Sequence, residues 1–154
     1  METKLRKYRD TLSITGMGVI VFGVWMVIKF ILSTVFMDDY LAKNGIVLSD
    51  RMSEIVYYVF ITVLLAVSVA LRVKVGSDAI KEGKGKKRGI FYIFVAAFIY
   101  VPASVYSLYT GFSDMSDVFD SVTGMFVELT SLITTLEMLV SAIRVKKLEK
   151  EMES

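Results

Sequence analysis

The chain has 154 residues, 55% of them apolar and 22% charged, with a net charge of +2 and a mean hydropathy of +0.59. It contains neither cysteine nor histidine. That excludes disulfides, thiol nucleophiles and thiolate-bound metal, and removes the commonest general base and metal ligand. The charges gather in short stretches between apolar runs of 18 or more residues, a segregation that excludes a soluble enzyme domain and a disordered chain.

Four apolar runs follow in chain order, over residues 14–36, 55–73, 90–109 and 121–143. At 1.5 Å per residue they cover roughly 29–35 Å, the thickness of a hydrocarbon core. Without water at that depth each backbone must satisfy its own hydrogen bonds, so each run is predicted to be helical. The expected fold class is therefore an all-α membrane protein. Residues 1–154 form a single domain of four transmembrane helices, packed as an antiparallel bundle because the connections are short.

The first run follows Lys4, Arg6, Lys7 and Arg9. It is too long for the apolar core of a cleaved signal peptide and no small-residue cleavage site follows it. Gly18, Phe22, Trp25, Lys29 and Ser33 share one of its stripes. The connection to the second run, 37–54, has room for a surface turn near 41–48. The second run carries Tyr57 and Tyr58 and closes on Arg72 and Lys74. Residues 72–89 then form a basic loop in which Lys84, Lys86, Lys87 and Arg88 are expected to meet anionic lipid headgroups. The third run contains Tyr100 and Pro102, and the proline is predicted to free a carbonyl near Phe98 and kink the helix. Asp114, Asp117 and Asp120 precede the fourth run at three-residue spacing. They suit helix capping, with a divalent cation as the weaker alternative. The fourth run holds Glu128, Ser131, Thr135 and Glu137, and its basic tail is expected to continue as a solvated helix.

Orientation comes from the basic residues. Fifteen of the 18 Lys and Arg flank one set of ends, whereas the opposite loops hold only Lys43 and Arg51. By the positive-inside rule both termini and the 72–89 loop are cytoplasmic, in a plasma (inner) membrane. An offset of 72 residues aligns Ala70–Lys74 with Ala142–Lys146, and Thr62 with Thr134. This pattern suits two tandem helical hairpins, although apolar helices ending in basic residues also resemble one another by chance.

Lys29, Glu128 and Glu137 are ionisable residues inside the runs, where a charge costs about 2.5–3.5 kcal/mol on insertion scales and normally has a partner. Lys29 and Glu128 fall at one predicted depth, so an ion pair between them is expected. Trp25, Tyr58, Tyr100, Pro102, Ser131 and Thr135 would supply polar support around it. Two functions follow. One is an accessory, scaffold or interaction subunit whose intramembrane polar groups hold helices or partners together. The other is a small oligomeric transporter or channel subunit that uses Glu128, with Glu137 on another face of the same helix as a second carboxylate on the path, for proton or ion coupling. Neither reading calls for a cofactor or nucleic acid, and no enzyme chemistry is expected. The expected partners are the bilayer, anionic lipid, and a second copy or another membrane protein.

Overall fold

A computed structural model describes residues 2–35, 51–113 and 118–153. These form four helices: α1 (Glu2–Val35), α2 (Arg51–Gly83), α3 and α4 (Val118–Glu153). Helix α3 comprises Phe91–Val95, a π-helical turn Ala96–Tyr100, and Val101–Ser113. All four contain stretches long and apolar enough to cross a membrane. The segment around 41–48, and Asp114 and Asp117, lie outside the described residues.

Three helices run well past the apolar runs at the basic end of the molecule. Residues 72–83, expected to begin a loop, instead extend α2. Hydropathy ends near Arg72 but helical periodicity does not: Val75, Ala79 and Glu82 recur on one buried face. A helix ends where its backbone is capped rather than where its surroundings change. Here the amide of Gly85 donates to the Glu82 carbonyl and that of Lys86 to the Lys81 carbonyl, at 2.9 Å each. Gly85, at φ +83°, takes the left-handed conformation that this paired C-terminal closure requires.

Helix α1 packs along α2 and α4, α3 packs on α4, and α2 meets α3 near the start of α3. Contacting positions pair rising with falling residue numbers: Gly16 with Gly76, Gly23 with Arg72, Gly18 with Thr134, and Arg9 with Glu149. Glycines let α1 and α2 approach closely. Gly16 and Gly23 are seven residues apart, as are Gly76 and Gly83, and a Cβ on Gly83 would lie 2.6 Å from the Arg9 carbonyl oxygen. Positions matched by the 72-residue offset differ in setting: Arg72 is buried and Arg144 exposed.

The core lies toward the basic end, built from Leu5, Leu12, Val19, Val75, Ala79, Tyr92, Val95, Met138 and Val145 among others. Elsewhere the helices turn apolar side chains outward. No residue in the most apolar stretch of α2 is buried, and Ile14, Val59, Phe60, Phe98 and Phe126 are all exposed.

Candidate functional site

Two layers of buried polar residues cross the packed helices. The first centres on Arg72, only 8% exposed. Gly23 of α1 makes room for it, since a Cβ there would sit 3.3 Å from the Arg72 Cβ. The guanidinium lies over the Tyr100 ring, with Cζ 5.0 Å from the centroid, an attractive cation–π geometry. Glu128 of α4, half-buried, is close enough to act electrostatically on the same guanidinium. All four helices thus contribute at one level.

Tyr100 ends the π-helical turn. The Val101 amide bonds back to the Ala96 carbonyl, five residues away, one turn ahead of a proline that has no N–H to give. The predicted local disruption at Pro102 therefore takes the form of a widened turn, a feature frequent at functional positions. Arg72 Nη1 and the Tyr100 hydroxyl are buried and make no hydrogen bond. A buried donor left unmade costs about 1–3 kcal/mol, so this level is stabilised by stacking and charge but lacks acceptors. Replacing both members of a buried ion pair with uncharged residues of similar volume is often neutral or stabilising, whereas removing one alone leaves its partner uncompensated. The double variant Arg72→Met, Glu128→Gln, which leaves no unpaired charge, is therefore expected to match or exceed the unmodified chain by up to about 3 kcal/mol in detergent denaturation. A loss of stability would mean that the guanidinium is fully satisfied.

The second layer lies two to three turns toward the basic end. The Glu82 side chain is 1% exposed; Lys146 Nζ donates to its Oε2 at 3.2 Å and stands 3.0 Å from Oε1. Nζ also donates to the Arg88 carbonyl at 2.8 Å, tying α4 to the loop after α2. Buried Tyr92 lies beneath the ammonium, with its hydroxyl beside Glu82. Arg88 Nε stands 3.8 Å from Asp78 Oδ1, and Arg9 donates to Glu149 Oε1 at 2.7 Å, joining α1 to α4.

The predicted ion pair is corrected by this geometry. Lys29 is exposed and does not meet Glu128; among the described residues the cation beside Glu128 is Arg72. Equal depth along two separate helices does not fix their register, and the glycine contacts set α1 so that Gly23, rather than Lys29, is level with Arg72. The supporting cluster also divides. Tyr100, Ser131 and Thr135 are buried, with the Thr135 hydroxyl donating to the Ser131 carbonyl at 2.8 Å. Trp25 and Pro102 are exposed, and Tyr58 is half-buried, edge-on to Tyr57.

Glu137 is exposed on the outer surface of α4. Lys84, Lys86 and Lys87 are exposed in the loop, whereas Arg88, expected to meet lipid, is directed at Asp78. Of the aspartates weighed as a cation site, the side chain of Asp120 lies, like Asp114 and Asp117, outside the described residues. Among the described residues no three metal-binding side chains gather.

Arg72, Glu82, Tyr92 and Lys146 were not singled out from sequence. The available signal was the seven-residue repeat of glycines and the Val75–Ala79–Glu82 face, which continue α2 beyond its apolar run. Comparison with known protein families, characterised proteins and solved structures finds no match to this chain.

Proposed function

We propose that the chain is a four-span integral membrane protein, an antiparallel bundle with both termini cytoplasmic, that acts as an accessory or interaction subunit. Membrane insertion is supported by the four apolar helices and by their outward-facing Ile, Val, Leu and Phe side chains, a surface water would penalise and lipid would not. The charge split supports an orientation with the basic end inside, in what we take to be a plasma (inner) membrane.

The observation that carries the interaction role is the placement of Lys29 and Glu137. Both are exposed beside apolar side chains, Ile28 and Ile31 in one case and Ile133, Leu136 and Val140 in the other. A charge facing lipid at that depth is costly, and a neighbouring helix that offers a hydrogen bond or counter-charge removes the cost. The two lie on opposite sides of the midplane, so each needs its own partner group. In mild detergent the protein mass of the particle, corrected for bound detergent, is expected to exceed the 17.3 kDa chain, and Glu137→Leu should reduce it to the monomer while leaving helicity unchanged. An unchanged particle mass in that variant would refute the role of Glu137.

A second reading, a small transporter or channel subunit, draws on the Arg72–Tyr100–Glu128 level beside the π-helical turn. Its signature is proton or ion flux in liposomes that Glu128→Gln abolishes.

A further inference from the structure

The structure also carries a basic groove between two helices that the sequence did not indicate. A groove of about 350 Å³ lies between the basic ends of α1 and α4. Lys4 and Lys7 line one wall and Arg144 and Lys147 the other, with Tyr8 and Leu148 half-buried between them. Glu151 contributes the one negative charge. It stands 3.9 Å from Lys147 as an exposed i,i+4 neighbour, a pairing too weak and open to neutralise the groove.

Two other basic regions differ. The larger groove of about 690 Å³ near Arg6 and Lys84 also contains Glu2 and Asp10, and its Arg9 is bonded to Glu149. In the 84–88 loop Lys84 belongs to that larger groove with its acidic residues, and Arg88 is directed at Asp78. The α1–α4 groove is thus the place where positive charge is concentrated, concave and largely uncompensated.

Its position says what kind of anion fits. Along α1, Lys7 is followed at seven-residue intervals by Ile14, Val21 and Ile28; along α4, Lys147 is preceded at the same interval by Val140, Ile133 and Phe126. All six apolar residues are exposed. Seven residues are two turns, about 10 Å of helix, so each wall of the groove continues directly into an outward-facing apolar stripe. A ligand matching this surface has a negatively charged head and two long apolar chains. We infer that the groove seats the phosphate headgroup of an anionic two-chain phospholipid, with its acyl chains along the α1 and α4 stripes. Cationic pockets between helices at the cytoplasmic face bind anionic headgroups through this combination of charge and apolar surface. The inference rests on the membrane reading given above.

The test uses the full chain purified in mild detergent, titrated with phosphatidylglycerol or phosphatidylcholine, with bound lipid counted by native mass spectrometry. The unmodified chain is expected to retain phosphatidylglycerol in preference to phosphatidylcholine. The triple variant Lys7→Gln, Arg144→Gln, Lys147→Gln should lose that preference by at least about tenfold, while Lys84→Gln, Lys86→Gln, Lys87→Gln keeps most of it. All six side chains are exposed, so both variants should fold, and equal unfolding midpoints verify this. Equal losses in the two triples, or no loss in the first, would overturn the assignment. Displacement of the lipid by excess inorganic phosphate would overturn it as well, because the site would then read phosphate without its chains. An alkaline carbonate wash of membranes containing the chain separates the two levels of the argument. Release of the chain refutes the membrane reading itself, whereas retention without groove-dependent lipid preference refutes the groove alone.

Discussion

Gly76→Ala is expected to destabilise the protein by about 2 kcal/mol, although alanine is the better helix former by about 1 kcal/mol. A Cβ at this position would collide with the Gly16 carbonyl oxygen and lie 2.5 Å from Ile20 Cγ1. A side chain can rotate away, but a carbonyl moves only with its helix, so the cost is a displacement of α1 from α2 along their length. Overpacking of this kind typically costs about 1–3 kcal/mol and exceeds the propensity gain. The reciprocal position behaves alike: a Cβ on Gly16 would fall 2.9 Å from both Ala79 Cβ and the Gly76 carbonyl oxygen. Gly124→Ala is the control, because a Cβ there meets nothing within 4 Å; it should stabilise by up to about 1 kcal/mol through propensity alone. Unfolding in mixed micelles of mild and denaturing detergent, followed by circular dichroism, checks both. Equal midpoints for the two variants would mean that α1 and α2 are not in backbone contact.

These glycines also show what was legible in the sequence and what was not. Apolar runs long enough to span a bilayer are a property of composition along the chain, and all four recur as helices. Helix ends are not legible in hydropathy, which marks a change of surroundings, whereas α2 stops only at the Gly85 closure, three turns after Arg72. Partnership was the least legible. Depth along isolated helices placed Lys29 opposite Glu128, but actual register depends on which small residues nest together. The seven-residue glycine spacing on α1 and α2, visible in the sequence, sets Gly23 against Arg72. That contact brings Arg72, counted from sequence as one of many orienting charges, into the buried layer with Tyr100 and Glu128. The charged residues picked out by depth, Lys29 and Glu137, instead face outward. Burial of an ionisable group is a property of packing between helices, and no single-helix pattern contains it.

The same reasoning makes the largest expected effect of any charge change at the basic end the loss of the cation that faces Glu82. Its side chain is 1% exposed, and its partner Lys146 is 29% exposed. Desolvation of the carboxylate is therefore nearly complete, and the ammonium is what makes it tolerable. Lys146→Met leaves that carboxylate buried without its cation and is expected to cost about 3–5 kcal/mol. Glu82→Gln should cost less, about 3 kcal/mol at most, because Lys146 retains the Arg88 carbonyl and partial access to water. The double variant Glu82→Leu, Lys146→Met removes both charges. It should cost no more than about 3 kcal/mol, because no unpaired charge is left and the main loss is the acceptor beside the buried Tyr92 hydroxyl. The exposed Lys147–Glu151 pair, at 66% and 44% exposure, supplies the contrast: Glu151→Gln should leave the unfolding midpoint unchanged. A double-mutant cycle by detergent unfolding reads all of these. Additive losses for Glu82 and Lys146 would show that the two do not share one interaction, and the basic end would then owe its cohesion to its apolar core and the Arg9–Glu149 bridge. Strong coupling would identify a clamp that joins α2, α4 and the loop between α2 and α3. Such a clamp would hold the basic ends of the helices in register, leaving their apolar faces free to meet lipid or another subunit.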